Sequence, residues 1–269
     1  MILIKKKKKK EKEKSKKNKK KQNNRLRMAH SNFNKMNNIN IMFWNVHSVN
    51  QRKAEINKLI QNIDILVCVE SWLKPDLRFN ISGYNSFRKD RPGVERGGGK
   101  VYFVRKDLIF TEITQVTSQT NTIEITGIRI NNIQPAIDII ACYRRLGITL
   151  SQSEWNEILN TTKHNSSSIL LGDFNAHNNK WNCPSSDTNG ERLDCSIELH
   201  NLFLHNPNTF THINYHNSER SNIDLVFSTL NIAKKVNTHV FDETFGSDYF
   251  PILIDVQINK KFQYEKKKL

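Results

Sequence analysis

An acid and an amide two residues apart, Asp173 and Asn175, close the run Ser168-Ile-Leu-Leu-Gly-Asp-Phe-Asn175. The apolar part has the composition of a buried strand, so both side chains emerge where the backbone leaves it. A carboxylate held there is rigid and partly desolvated, and it can be aimed at a water or a metal ion. An ordinary turn is the competing reading, because Gly, Asp and Asn are common turn formers.

The same pattern recurs along the chain. Apolar runs end in polar residues at Ile39-Asn-Ile-Met-Phe-Trp-Asn45, Ile63-Asp-Ile-Leu-Val-Cys-Val-Glu70 and Ile139-Ile-Ala-Cys-Tyr143, and again around Gly246-Ser-Asp-Tyr-Phe-Pro251. In this order and spacing, Trp44-Asn45, Glu70-Ser71-Trp72, Cys142-Tyr143-Arg144, Gly172-Asp-Phe-Asn175, Ser221-Asn-Ile-Asp224 and Ser247-Asp248 resemble the endonuclease/exonuclease/phosphatase family. The resemblance covers residues 38–258. Within the family it is closest to the endonuclease domains of non-LTR retrotransposons, on Glu70-Ser-Trp-Leu73 and Arg96-Gly-Gly-Gly99.

The resemblance implies hydrolysis of a phosphodiester. That reaction needs charge neutralisation at phosphorus, an activated water in line, and help for the leaving oxygen. By resemblance, Glu70 is the principal Mg²⁺ ligand, with Asn45 and Asp248 beside the metal or supporting its shell; Mn²⁺ is an alternative ion. Asp173 orients and deprotonates the water, Asn175 donates to the charge growing on phosphorus oxygens, and the Tyr143 hydroxyl contacts the phosphate. Arg96, Arg144 and Arg145 are the candidate contacts to nucleic acid, DNA in the first place and RNA as an alternative. Arg96-Gly97-Gly98-Gly99 lacks the Lys-Ser/Thr of a P-loop, so it reads as a turn entering a strand.

One position departs from the family. Ser-Asp-His-x-Pro is usual, with the histidine oriented by the aspartate that matches Asp224 and contacting the scissile phosphate; here the residues are Ser247-Asp248-Tyr249-Phe250-Pro251. A phenol, with an ordinary pKa of about 10, is a neutral donor at pH 7 and supplies no imidazolium. The chain is therefore expected to fold as a nuclease and to cut poorly, unless the Tyr249 hydroxyl itself serves the phosphate. His47 and His177 lie near the site in sequence and are expected as surface loop residues.

The elements that must hold these groups follow from composition. Strands are expected at about 39–44, 63–69, 100–105, 122–130, 136–143, 168–172, 223–228, 236–241 and 251–258, rich in Ile, Val and Phe. Helical spacing of Ile56, Leu59 and Ile60, and of Trp155, Ile158 and Leu159, predicts helices over 50–61 and 152–161. This α/β alternation agrees with the four-layered α/β sandwich the resemblance implies, two packed mixed β-sheets flanked by helices.

With 269 residues, 37% of them hydrophobic, and no apolar run of membrane-span length, the chain reads as one soluble domain with tails. Its net charge of +16 is concentrated at the ends. Residues 1–28 hold 13 Lys, 2 Arg and 2 Glu, and residues 260–269 hold 5 Lys and 1 Glu, which leaves the rest near −1. Residues 1–30 are expected as a disordered lysine-rich tail and 259–269 as a basic C-terminal tail. The first is either a nuclear-localisation or nucleic-acid-binding arm, or an extension upstream of a start at Met28. Cys68, Cys142, Cys183 and Cys195 show no CxxC spacing, so an intracellular protein of nucleus or cytoplasm, without disulfides or structural zinc, is expected. No partner protein is inferable.

Because the chain ends soon after the domain, neither a reverse transcriptase nor a ribonuclease H is expected with it; a fragment of a larger transposon reading frame and a truncated genomic copy are both open. The leading function is a metal-dependent, DNA-nicking endonuclease. A phosphatase or phosphodiesterase of the same family and a non-catalytic nucleic-acid-binding remnant are the alternatives.

Overall fold

The computed structural model describes residues 38–91, 97–116, 118–119, 122–165 and 167–258. Both basic tails and Arg96 lie outside the described residues. One compact unit spans Ile39–Leu269; of the other, Met1–Asn38, only Asn38 is described.

The strands in chain order are β1 (Asn38–Asn45), β2 (Ile65–Val69), β3 (Tyr84–Lys89), β4 (Lys100–Arg105), β5 (Phe110–Glu112), β6 (Ser118–Gln119), β7 (Ile123–Ile130), β8 (Ile137–Arg144), β9 (Ser168–Asp173), β10 (Leu202–Leu204), β11 (His212–Asn214), β12 (Glu219–Ser221), β13 (Asp224–Thr229), β14 (Val236–Val240) and β15 (Ile252–Gln257). The α-helices are α1 (Lys53–Leu59), α2 (Gln152–Asn160), α3 (Thr188–His200) and α4 (Leu230–Ala233). All nine expected strands and both expected helices are present.

Two mixed sheets carry the fold. The first has the order β14-β15-β1-β2-β4-β3 and the second β10-β13-β9-β8-β7-β5, with β6 pairing β7. The period of a strand explains how they pack: Ile39, Ile41 and Phe43 of β1, Ile65, Val67 and Val69 of β2, Ile137, Ile139 and Ala141 of β8, and Ile169 and Leu171 of β9 all enter one core between the sheets. The alternate residues, such as Trp44, Cys68, Cys142 and Leu170, are buried too, because helices cover the outer faces of a four-layered α/β sandwich. Tyr102 bridges the layers, donating to the Thr126 carbonyl at 2.6 Å and accepting from the Ala141 N–H at 3.0 Å.

Helix α2 starts at a capping box, with the Glu154 N–H on Ser151 Oγ at 3.3 Å and the Ser151 N–H on Glu154 Oε2 at 2.7 Å. Its partner α3 has no apolar stripe. The buried residues of α3 are Asn189, Gly190, Leu193 and Ser196, and the α2–α3 contact uses Gln152 Nε2 on Ser196 Oγ and Ser196 Oγ on Asn156 Oδ1, both at 2.7 Å. A polar helix–helix seam of this kind leaves no periodic signal. Among the described residues no helix is long and apolar enough to cross a membrane.

Strand direction brings the site together. β1 and β2 run parallel and pair Asn45 with Val69, so Asn45 and Glu70 leave the first sheet at the same edge. β8 and β9 are parallel with Tyr143 opposite Asp173, while antiparallel β13 begins with Asp224 opposite Asp173. Close approach of β8 and β9 demands the glycine before Asp173. A Cβ on Gly172 would overlap the Cys142 carbonyl, at 2.8 Å from its carbon. Gly172→Ala is therefore expected to destabilise by on the order of 2 kcal/mol or more, read as a lower midpoint in urea unfolding with unchanged slope.

Candidate active site

Asp173 is the centre of the arrangement. It is fully buried, and its carboxylate accepts from Asn45 Nδ2 at 2.9 Å and from the Asn175 N–H at 3.1 Å, with the Tyr249 side chain beside it. Burial pushes its pKa up to about 7, against the pull of Asn45, the Asn175 N–H and Tyr249. The Asn45 bond joins the two sheets, since Asn45 ends β1 and Asp173 ends β9.

Asp224 faces the same space from β13. It is buried, neither carboxylate oxygen makes a hydrogen bond of good geometry, and burial followed by the charge of Asp173 holds its pKa well above the usual carboxylate range. Tyr249 is also buried, and desolvation followed by the charges of Asp173, Asp224 and Asp248 raises its pKa well above that of a free phenol. It remains a neutral donor at any working pH.

Asn175 sits at φ 45°, in the left-handed region that asparagine tolerates. Its Nδ2 donates to the Arg144 carbonyl at 2.7 Å. Arg144, expected on nucleic acid, is instead buried: Nε donates to the Phe174 carbonyl at 2.7 Å, and the terminal nitrogens bind the carbonyls of Arg145, Ile148 and Asn175. A guanidinium that spends four of its five N–H groups on main-chain carbonyls positions the loop after Asp173. Arg145, the next residue, is exposed.

Glu70 stands at the other pole, at φ 52°. Its Oε2 accepts from Trp72 Nε1 at 2.6 Å and from the Gly98 N–H at 3.0 Å, while the buried Oε1 has no hydrogen-bond partner. The Tyr143 hydroxyl faces Glu70, and burial, followed by the charges of Glu70 and Asp173, raises its pKa. Among the described residues no cluster of three or more His, Cys, Asp or Glu could hold a metal. Such a cluster is not what Mg²⁺ requires, because it takes one or two carboxylates and keeps waters. Glu70 Oε1 fits that use: it is a buried carboxylate oxygen that accepts no hydrogen bond.

Asp248 is held below its ordinary range, burial being outweighed by the hydrogen bond and charge of His47. His47 Nδ1 lies 2.9 Å from Asp248 Oδ1, and that bond raises the His47 pKa. His47 lies, as expected, in a loop with a partly exposed side chain, and its ring is 5.6 Å from both Tyr249 and Trp72. His177 pairs instead with Asp187 at 3.3 Å.

Sequence reasoning missed His212 and Arg91. The His212 ring lies 4.7 Å from that of Tyr249, and its Nε2 is 3.8 Å from Asp248. Burial lowers its pKa. His212 lies in a polar segment with no motif, so only the bridge between His212 and Tyr249 reveals it. Arg91 pairs with Glu70 and Glu124, and the three glycines that follow it were its only signal in the sequence.

The family described as Endonuclease-reverse transcriptase matches residues 137–253. Among solved structures, the endonuclease domain of TRAS1, a telomere-specific non-LTR retrotransposon, is 17% identical, covers 82% of this chain and 99% of its own, and superposes with a TM-score of 0.67. A 3′ phosphatase from Neisseria bound to product DNA hairpin is 18% identical over 81% of this chain and 99% of its own, with a TM-score of 0.63. An AP endonuclease from Leishmania major is 12% identical over 85% of this chain and 90% of its own, with a TM-score of 0.67. No curated protein matches. The fold is that of the endonuclease/exonuclease/phosphatase family. Among proteins of that fold, the chain is similar to the endonuclease domain of a non-LTR retrotransposon.

Proposed function

We infer that this chain is a metal-dependent phosphodiester hydrolase of the DNA-nicking type, weakened by Tyr249. The observation that carries the reading is the hydrogen bond by which Asn45 meets Asp173 beside Tyr249, with Glu70 Oε1 left as a buried oxygen without a hydrogen bond.

Glu70 would hold a divalent cation, Mg²⁺ or Mn²⁺, with Asn45 and Asp248 supporting its shell. When bound, that ion neutralises phosphoryl charge. Asp173, once ionised, takes the proton of the attacking water, and its hydrogen bonds from Asn45 and the Asn175 N–H keep the carboxylate aimed. Tyr143 and Asn175 are the donors to phosphoryl oxygens, and exposed Arg145 is a contact for the backbone of the substrate. The lysine-rich ends suit a polyanionic partner and a nuclear address.

The base assignment carries a pH prediction. Asp173 is raised by burial, so its protonated form dominates below about 7 and the base is present above. Cutting is expected to rise with pH up to a midpoint at or below about 7, because a cation at Glu70 lowers the pKa further, and then to level. Single-turnover rates between acid and mildly alkaline pH check this; a rate that falls across the interval removes Asp173 as the base.

A second reading is favoured by one observation, the buried Asp224. A buried acid without a hydrogen bond of good geometry, beside a neutral phenol, fits a scaffold that binds nucleic acid and no longer cuts it. Supercoiled plasmid incubated with the parent protein and Mg²⁺ or Mn²⁺ separates the two. Metal-dependent nicking supports the hydrolase, and salt-sensitive binding without product supports the remnant.

A further inference from the structure

Gly97, Gly98 and Gly99 have φ values of 108°, 71° and 79°, and the Arg91 guanidinium fills the room left by the missing side chain of Gly98 and lies beside that of Gly97. A Cβ on Gly98 would overlap the Arg91 guanidinium, and one on Gly97 would lie 3.3 Å from Glu70 Oε2 and 3.5 Å from Arg91 Nη1. The glycine run therefore does more than turn the chain into β4. It lets an arginine lie against Glu70.

That arginine is firmly held. Its Nε donates to Glu124 Oε1 at 2.6 Å, and its guanidinium carbon stands 5.6 Å over the Tyr143 ring. Glu124 is buried and pinned in turn by the Gly99 N–H at 3.0 Å and by buried Lys100 Nζ at 3.2 Å. On the other side, Nη2 faces Glu70 Oε1 at 3.6 Å, an ion pair too long for a hydrogen bond. This is the same oxygen that the metal-dependent reading assigns to a divalent cation.

We propose that Arg91 is a resident counter-cation of Glu70, which weakens divalent-metal binding to the free protein and releases Glu70 when a substrate phosphate gives the guanidinium new acceptors. The inference rests on the metal-dependent reading above. Two cations on one carboxylate oxygen repel strongly in a partly buried site. A phosphate offers the planar guanidinium paired oxygens, which a lone carboxylate oxygen at 3.6 Å does not. Nucleic acid and metal should therefore bind cooperatively, each raising the affinity for the other by the same factor.

Mn²⁺ binding followed by electron paramagnetic resonance tests this without turnover. The parent, Arg91→Gln, and both in an Asp173→Asn background with and without a short DNA duplex would be titrated. Arg91→Gln is expected to tighten Mn²⁺ binding by on the order of tenfold and to abolish any further tightening by DNA. In the Asp173→Asn background with Arg91 intact, DNA is expected to tighten Mn²⁺ binding by a similar factor. Equal Mn²⁺ affinity with and without Arg91 overturns the proposal. Should Arg91→Gln fail to fold, absence of the DNA effect in the arginine-containing protein overturns it alone. Failure of every variant to bind Mn²⁺ removes the metal-dependent reading, and this inference with it.

Discussion

Tyr249→His is expected to raise nicking by on the order of 10²-fold or more, the size of one preorganised donor to a developing oxyanion. The physical case lies in Asp224. It is buried opposite Asp173 on the neighbouring strand, and both its oxygens lack a good hydrogen bond. Burial and the charge of Asp173 hold its pKa well above the usual carboxylate range, outweighing the Thr211 hydroxyl. An imidazole at position 249 would give Asp224 a partner, and the pair would place a cation where Tyr249 places a neutral hydroxyl. His47 and His212 already pack against this ring and would border the imidazole. Plasmid nicking at matched protein and metal concentration reads the effect; equal rates for parent and variant would mean that Tyr249 serves as well as an imidazole.

Asp173→Ala is expected to reduce nicking by on the order of 10³-fold, in the parent and in Tyr249→His alike. Two donors hold this carboxylate, Asn45 Nδ2 and the Asn175 N–H, with the Tyr249 side chain beside it. Alanine removes the base and leaves both donors without that acceptor in a buried site, so stability falls as well. A thermal melt beside the assay keeps the two losses apart. Asp173→Asn retains the shape with less disruption, and an asparagine variant that cuts at the parent rate would place the proton acceptor elsewhere.

The parts of the fold that were legible in the sequence are those built from apolar runs. Strands β1, β2, β8 and β9 are buried on both faces, and their Ile, Leu and Val content marks them without any pattern of alternation. Strand ends then located Asn45, Glu70, Tyr143 and Asp173, and the structure brings these to one edge of the two sheets. What escaped was built from polar contacts. Helix α3 presents Asn189, Gly190 and Ser196 inward, and the β11–β12 hairpin that carries His212 is short and mostly exposed.

Burial of cations was the other blind spot. Arg144 and Arg91 look alike as isolated arginines. One is consumed by four main-chain carbonyls behind Asn175, and the other is slotted against Gly97 and Gly98 beside Glu70. Only the glycine run hinted at the second, since consecutive positive-φ residues permit an approach that any side chain would block.

The central claim is that the joined sheet edge is a phosphodiesterase site whose weakness lies at one side chain. Plasmid nicking by Tyr249→His with Mg²⁺ or Mn²⁺, run beside Tyr249→His carrying Asp173→Ala, tests it most directly. The account predicts metal-dependent nicking by the single variant, above that of the parent, and its loss in the double variant. A folded Tyr249→His protein that binds DNA and yields no metal-dependent nick, or a double variant that nicks as fast as the single, would contradict it.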